Sequence, residues 1–339
     1  ILHAAFLAGT VAAVFLALVR REEVQGRFAA VLVATTPLAI QLAWQAVDEP
    51  AMLFYLALGL LWLRHWLRRP TWGAAGCLGL ALGASCAVKY LSVGFIAAPA
   101  GLAMLALSVR SARRLGQTGL TAALVVAAMA PWLVRNTAYT GNPVFPLATS
   151  VFGRAHWTET CQQRWQAGHG PETKPPVPEP PGYAPPHRPG RAALFWRHFV
   201  VNQQLGVLLP LAAALAVCAL AAQRGRPEAW SWTLAWVWAA QVGLWAAVTH
   251  ELPGRFLAPT IVPMSLLAAG VLARLARVRA NPLRRGAGES PAGPWGLPVA
   301  GSLFLIIVGI NLYVSVAGYL AVRTRGPRGQ EVPLTAHGF

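Results

Sequence analysis

Two adjacent carboxylates, Asp48 and Glu49, are the residues of this sequence best placed to do chemistry. They lie in AWQAVDEPAM, between two apolar runs that are each long enough to cross a membrane. Charge beside a membrane core is costly and is usually functional, and a carboxylate there can act as a general base or hold a metal ion. An acid directly before Pro50 also suits a helix N-terminus, where it caps free amides and complements the helix dipole. The sequence leaves both interpretations open.

Polar residues also interrupt two later apolar runs. Lys89 and Tyr90 form the polar break in GLALGASCAVKYLSVGF. Lys89 either binds an anionic lipid phosphate or extends to the membrane interface as a simple anchor. Arg135 and Asn136 follow Pro131 in PWLVRNTAYTGNPVFP, close to the end of an apolar run. A guanidinium at that position is suited to bind phosphate through two hydrogen bonds.

The turn THELPGRFLAP adds His250, Glu251 and Arg255 before another apolar run. A charged turn is an ordinary feature, so each of these residues is weak by itself. Together with the earlier pairs, the ends of several apolar runs supply a carboxylate pair, cations and a histidine. That combination suits a reaction with a phosphate leaving group, in which a base activates the acceptor and cations stabilise the departing oxyanion.

Membrane-spanning helices must position these residues. The chain is 56% hydrophobic and only 12% charged, with a mean hydropathy of +0.49, whereas soluble domains carry about 25% charged residues. About 20 apolar residues cross the hydrocarbon core as a helix. We therefore predict an all-α, polytopic transmembrane helical bundle. Its ten predicted spans are approximately 3–19, 28–45, 51–67, 72–88, 91–109, 118–134, 199–222, 230–248, 256–273 and 297–320.

The arginines indicate how the bundle is oriented. Sixteen of them lie in alternate loops, at 20–27, 64–71, 110–117, 223–229 and 274–296. The intervening short loops carry only Lys89, Arg135 and Arg255 as basic residues. Because cytoplasmic loops carry the excess of basic residues, residue 1 and the candidate residues are predicted outside the cytoplasm. The net charge of +17 is spread over these loops, which favours anionic lipid over nucleic acid as the counter-charge.

The predicted organisation has four parts: an N-terminal bundle of six spans over 1–136, an outer loop over 137–198, a C-terminal bundle of four spans over 199–320, and an outer tail over 321–339. The middle of the loop, KPPVPEPPGYAPPHRPGR, predicts an extended, polyproline-like spacer. Neither the four cysteines nor the loop histidines have the spacing of metal ligands. Asp48 is the one candidate metal ligand, and Mg²⁺ or Mn²⁺ is the candidate ion.

Several segments resemble those of bacterial polytopic glycosyltransferases of the C-type (GT-C) superfamily, which includes the dolichyl-phosphate-mannose protein mannosyltransferases and the aminoarabinose transferases. The resemblance rests on PWLVRNTAYTGNPVFP and HELPGRFLAP. In addition, ATTPLAIQLAWQAVDEPAMLFYLALGLLWL is similar to the second outer acidic motif of these enzymes, and GLALGASCAVKYLSVGF to a lysine-bearing helix end. The likeness covers most of residues 1–320.

The resemblance implies transfer of a sugar, with inversion, from a polyprenyl-phosphate carrier at the extracytoplasmic face of a bacterial inner membrane. The acceptor would be a glycan, a lipid or a protein, and no nucleic acid takes part. Members of the superfamily carry an essential Asp in the first outer loop, after the first span. Either this sequence begins at the second span, or the protein does not have that base and is not active. The implied catalytic residues are Asp48 and Glu49, and the implied residues for the donor are Lys89, Tyr90, Arg135, Asn136, His250 and Arg255.

Two other classes of function remain open from the sequence. One is a membrane protein of the same fold that binds or presents a polyprenyl lipid without acting on it. The other is a transporter, which would place charges at the bilayer midplane and use discontinuous helices in matched halves. The charges of this sequence instead cluster at the ends of the apolar runs, which favours the transferase.

Overall fold

The structure, a computed structural model, describes residues 1–18, 22–45, 47–169, 190–206, 208–222, 228–249, 254–277 and 296–324. Over these ranges it contains helices and no strands. The α-helices are α1 (Leu2–Leu18), α2 (Glu23–Thr35), α3 (Pro37–Trp44), α4 (Glu49–Arg68), α5 (Trp72–Val88), α6 (Ala98–Ser108), α7 (Ala112–Thr140), α8 (Thr149–Phe152), α9 (Glu159–His169), α10 (Arg191–Phe195), α11 (Leu208–Ala221), α12 (Ala229–Val248), α13 (Ile261–Arg277) and α14 (Gly296–Thr324).

Short irregular helices connect some of these elements. Val93–Ala97 and Trp196–Val200 are π-helical turns that lead into α6 and follow α10. Gln203–Leu205 and Gly254–Thr260 are 3₁₀ helices that precede α11 and α13.

Four helical segments within the described residues are long and apolar enough to cross a membrane: Glu49–Arg68, Ala112–Thr140, Gly254–Ala276 and Ala300–Ala317. Two bent pairs raise the number to six, with angles of 57° between α2 and α3 and 111° between Arg191–Leu205 and α11. The shorter apolar helices are Leu2–Leu18, Trp72–Val88 and Val93–Ser108. The chain is therefore the all-α polytopic membrane bundle that the sequence predicts, while the count of ten spans stays a prediction.

Pro37 explains the break between α2 and α3. The residue before a proline is pushed out of the helical region, and Thr36 is extended with ψ of 121°. Pro37 then occupies the first turn of α3, where its missing amide hydrogen costs nothing. The bend carries α3 towards the segment that ends at Asp48.

Helix α4 lies at the centre of the bundle. It packs against α1 and α5, and α13 closes the core from the C-terminal half by packing on both α2 and α4. Helix α7 packs on α5 at the periphery. The close approach of α5 and α7 depends on glycines, because a Cβ added at Gly79 would lie 2.8 Å from the carbonyl oxygen of Thr121.

The two ends of α4 carry opposite types of polar residue. As a 20-residue helix it is about 30 Å long, which matches the hydrocarbon core. Its first residue is Glu49, whereas the buried Arg64 near its other end donates to the carbonyl oxygen of Ala17 at 2.8 Å. The Arg64 guanidinium also lies 2.8 Å from Glu22. Because these groups lie near opposite ends of α4, the carboxylate pair and the arginine-rich end belong to opposite sides of the bundle.

Candidate active site

Lys89 binds both predicted catalytic carboxylates. Its ammonium nitrogen, Nζ, lies 2.9 Å from Oδ1 of Asp48 and 2.7 Å from Oε1 of Glu49. The reason is the order of the helices, since only residues 69–71 connect α4 to α5 and the two helices pack along each other. They therefore run antiparallel, which brings the start of α4 next to Lys89, the residue that ends α5. Residue type and spacing alone do not predict this contact.

The two carboxylates differ in their access to solvent. The side chain of Glu49 is 2% exposed, that of Asp48 is 43% exposed, and that of Lys89 is 21% exposed. A buried carboxylate requires a partner, because its desolvation is expensive. Lys89 is that partner for Glu49. Asp48 shares the same ammonium but still reaches solvent.

The capping interpretation of Asp48 is wrong. Asp48 does occupy the N-cap position of α4, yet its side chain makes no capping hydrogen bond. Lys89 lies within hydrogen-bonding distance of its Oδ1 atom, and the carboxylate is turned towards that ammonium rather than back onto the first amides of the helix. The helix start is instead favoured by Pro50 in its first turn.

The pKa of Asp48 is lower than its usual value of 3.8. Partial burial of the carboxyl raises the pKa, but the hydrogen bond from Lys89 and the positive charge of its ammonium outweigh burial. Asp48 is therefore a carboxylate at neutral pH. It can accept a proton, although a carboxylate with a lowered pKa is a weak base.

Arg255 is the second cation at this place. Lys89 Nζ lies 5.7 Å and Arg255 Cζ lies 5.4 Å from the ring centroid of Phe256. The Nε atom of Arg255 is buried without a hydrogen-bond partner, and no ion pair joins Arg255 to a carboxylate in the part of the chain that the structure describes. Its positive charge is thus uncompensated there. Both cations lie near the ring of Phe256. Phe256 is not among the candidate residues drawn from the sequence, although it directly follows Arg255.

Tyr90 and Asn136 contact each other. The Asn136 side-chain nitrogen donates to the Tyr90 hydroxyl at 2.8 Å, and it also lies 3.3 Å from the carbonyl oxygen of Pro143 and 3.4 Å from that of Phe145. These contacts hold the residue after Lys89 against the end of α7 and the turn that follows it. Their role towards a donor stays a prediction.

Arg135 is exposed and stacks on its own helix. Its guanidinium carbon lies 5.8 Å from the ring centroids of both Trp132 and Tyr139. The next residue, Asn136, contacts Tyr90, which follows Lys89 in the chain. A pocket built from all three cations stays a prediction. His250 lies outside the described residues.

The described residues contain no group of three His, Cys, Asp or Glu side chains that could hold a metal ion. At Asp48 and Glu49 both carboxylates already bind the Lys89 ammonium. The described residues therefore do not form a fitting site for Mg²⁺ or Mn²⁺, and metal dependence stays a prediction.

Two crystal structures of ArnT from Cupriavidus metallidurans share this arrangement of helices, one in the apo state and one bound to undecaprenyl phosphate. Each has a TM-score of 0.54 and 16% sequence identity to this chain, and each match covers 95% of it. The chain has the fold of ArnT. ArnT is an aminoarabinose transferase of the GT-C type, so the resemblance seen in the sequence is confirmed at the level of the fold.

The match covers 57% of ArnT in the apo structure and 58% in the complex. This chain therefore spans somewhat more than half the length of ArnT. No protein-family model matches the sequence, and no curated protein does.

Proposed function

We propose that this protein transfers a sugar from a polyprenyl-phosphate-linked donor to an acceptor on the non-cytoplasmic face of a bacterial inner membrane. The observation that carries the proposal is the cluster in which Lys89 binds Asp48 and Glu49 while Arg255, which has no ion-pair partner among the described residues, lies at the ring of Phe256. The binding of undecaprenyl phosphate to ArnT, a protein of the same fold, supports a lipid phosphate as the ligand.

The charges of the cluster favour an arriving phosphate. Two carboxylates and two cations sum to zero, but their placement is uneven, because Lys89 is held between the acids and Arg255 is not. Arg255 is therefore the first cation available to a lipid phosphate. Its five N–H donors suit two-point binding of phosphate oxygens. Lys89, at the same ring, adds a second positive charge, and its attraction to the phosphate grows as the leaving group becomes more negative.

In the proposed reaction the acceptor hydroxyl approaches the anomeric carbon opposite the phosphate. A bond forms between the acceptor oxygen and that carbon while the bond from the carbon to the phosphate oxygen breaks. The acceptor proton passes to the exposed carboxylate of Asp48, and the polyprenyl phosphate leaves with the bonding electrons. Attack on the face opposite the leaving group inverts the anomeric configuration.

Each residue has a distinct role in this scheme. Asp48 takes the proton, and its low pKa suffices because the acceptor oxygen loses its proton after bonding to an electron-poor carbon has begun. Lys89 and Arg255 stabilise the departing phosphate. Glu49, buried beneath Lys89, fixes the position of the ammonium and does not meet the substrate.

Reconstituted protein tests the proposal directly. The protein is placed in nanodiscs with a radiolabelled undecaprenyl-phosphate-linked monosaccharide and a membrane extract as the source of acceptor. We expect label to move from the lipid carrier to the acceptor fraction. Binding of the carrier without any transfer, across a panel of donor sugars, would instead establish the non-enzymatic lipid-binding function.

A further inference from the structure

An amide pair lies next to Gly254, the residue before Arg255. The side-chain nitrogen of Gln204 donates to the side-chain oxygen of Gln41 at 3.4 Å. Gln41 lies on α3 and Gln204 lies in the 3₁₀ helix before α11. The two residues are far apart in sequence and meet because α3 packs against this short helix and against Gly254–Thr260.

Gly254 packs against the side chain of Gln204. A Cβ added at Gly254 would lie 3.5 Å from Oε1 of Gln204 and 3.1 Å from the side-chain nitrogen of Asn202. The Gln204 oxygen is therefore packed against the backbone one residue before Arg255. This places the amide pair next to the backbone that carries the phosphate-binding candidate Arg255.

The amide pair keeps much of its hydrogen-bonding capacity. A glutamine side chain offers two N–H donors and a carbonyl oxygen with two lone pairs, and the Gln41–Gln204 contact uses one donor of one residue and one lone pair of the other. Neither side chain makes a further hydrogen bond to any residue in the described ranges, and both are partly exposed.

Asn202 has a different role from its neighbour. Its side-chain nitrogen donates to the carbonyl oxygen of His198 at 2.8 Å, and its side-chain oxygen accepts from the backbone N–H of Gln204 at 2.9 Å. Asn202 thus stabilises the local backbone with both ends of its amide, whereas the side chain of Gln204 contacts Gln41.

An exposed aromatic residue accompanies the pair. Trp44 follows Gln41 by three positions on α3, and residues at that spacing lie on the same face of a helix. Its side chain is 65% exposed. Neutral amides can both donate to and accept from the hydroxyl groups on the edge of a sugar ring.

We propose that Gln41 and Gln204 bind the hydroxyl groups of the sugar carried on the polyprenyl phosphate. The inference rests on the proposed function, since the phosphate at Lys89 and Arg255 is what places the sugar beside Gly254. The amides then determine which sugars are accepted, because a hydroxyl that satisfies a partly buried amide is favoured over a ring position that lacks one. They are specificity residues and take no part in the bond changes.

The test compares two lipid probes, undecaprenyl phosphate and undecaprenyl-phosphate-linked glucose or mannose, whichever the wild type binds more tightly. Affinities are measured by native mass spectrometry on delipidated protein. We expect the wild type to bind the glycosylated carrier at least about tenfold more tightly than the bare carrier, which is the effect of one or two hydrogen bonds. Gln41→Met and Gln204→Met keep the side-chain length without the amide, and should reduce that preference to about twofold or less.

The matched control is Gln203→Met, an exposed glutamine in the same 3₁₀ helix, which should keep the full preference. Binding of the bare carrier and the melting temperature should be unchanged in all three variants. An unchanged preference in Gln41→Met and Gln204→Met would overturn the sugar site. Equally weakened binding of both probes together with a lower melting temperature would also overturn it, because that result indicates a purely structural pair. Wild type that binds both probes equally also overturns it while the phosphate site stands, whereas wild type that binds neither refutes the proposed function itself.

Discussion

The Lys89 ammonium ties the end of α5 to the start of α4 through Glu49, a carboxylate that is 2% exposed. The same ammonium reaches Asp48, which remains 43% exposed. One lysine therefore serves two acids in different environments. The buried acid is enclosed with the lysine, and the other acid still reaches solvent.

Lys89→Met should destabilise the protein strongly. It leaves Glu49 buried without its counter-ion, a change that typically costs about 3–5 kcal/mol. Adding Glu49→Gln to Lys89→Met should restore much of the loss, because the double variant no longer contains a buried charge. Thermal unfolding in detergent measures both effects. A Lys89→Met protein as stable as wild type would show that Glu49 is not held by this ion pair.

The lowered pKa of Asp48 predicts a specific dependence on pH. A carboxyl group whose pKa falls on folding contributes stability above its unfolded pKa, near 3.8, and loses it as the pH falls through the lower folded value. We therefore expect Asp48 to contribute evenly between about pH 5 and 8. The difference in melting temperature between wild type and Asp48→Asn should shrink below about pH 4. A difference that instead changes between pH 5 and 8 would contradict the lowered pKa.

Arg255 should govern affinity for the lipid phosphate. Hydrogen bonds to charged groups are worth about 1.5–3 kcal/mol, so Arg255→Met should weaken binding of undecaprenyl phosphate by about tenfold or more. Arg154→Met is the matched control, since Arg154 is exposed and pairs with Glu159 at 3.6 Å. Arg135→Met tests the three-cation pocket, which an equally large loss would support. Unchanged affinity in Arg255→Met would remove Arg255 from the site.

The orientation predicted from the arginines can be tested with a native cysteine. Cys161 is exposed on α9, in the long loop predicted to lie outside the cytoplasm. An impermeant maleimide should label it in intact cells, and Cys161→Ser should abolish that labelling. In the Cys161→Ser background, a cysteine placed by Arg113→Cys, in a predicted inner loop, should react only after the cells are opened. Labelling in the reverse pattern would overturn the orientation. Gly182→Cys offers the same test at a position outside the described residues.

Much of the fold could be predicted because apolar run length and proline position are local properties. The apolar run after Pro50 became α4, and Pro37 broke the predicted second span at Thr36. The contact of Lys89 with Asp48 and Glu49 could not be read in the same way, because it depends on which helices pack together. The three-residue connection between α4 and α5 requires the two helices to run antiparallel, and that pairing brings Lys89 next to the start of α4.

The sequence did not predict the side-chain partners of two candidate residues. The sequence allows Asp48 to be a base, a metal ligand or a helix cap. In the structure its side chain forms an ion pair with Lys89 and makes no capping hydrogen bond. Lys89 was assigned to phosphate or to the membrane interface, and its first partners are carboxylates. Side-chain partners at a helix end depend on neighbours from other helices, so residue type and spacing alone could not determine them.

Transfer activity of Asp48→Asn is the most direct test of the proposed mechanism. Asn keeps the shape of the side chain and can occupy an N-cap, so the variant should fold with only the loss of stability that follows from removing one partner of Lys89, and its binding of undecaprenyl phosphate should remain close to wild type. The rate of sugar transfer to the acceptor should fall by about 10²–10⁴-fold, the usual effect of losing a general base. If Asp48→Asn binds the carrier and transfers the sugar as fast as wild type, Asp48 is not the base and the proposed mechanism is wrong.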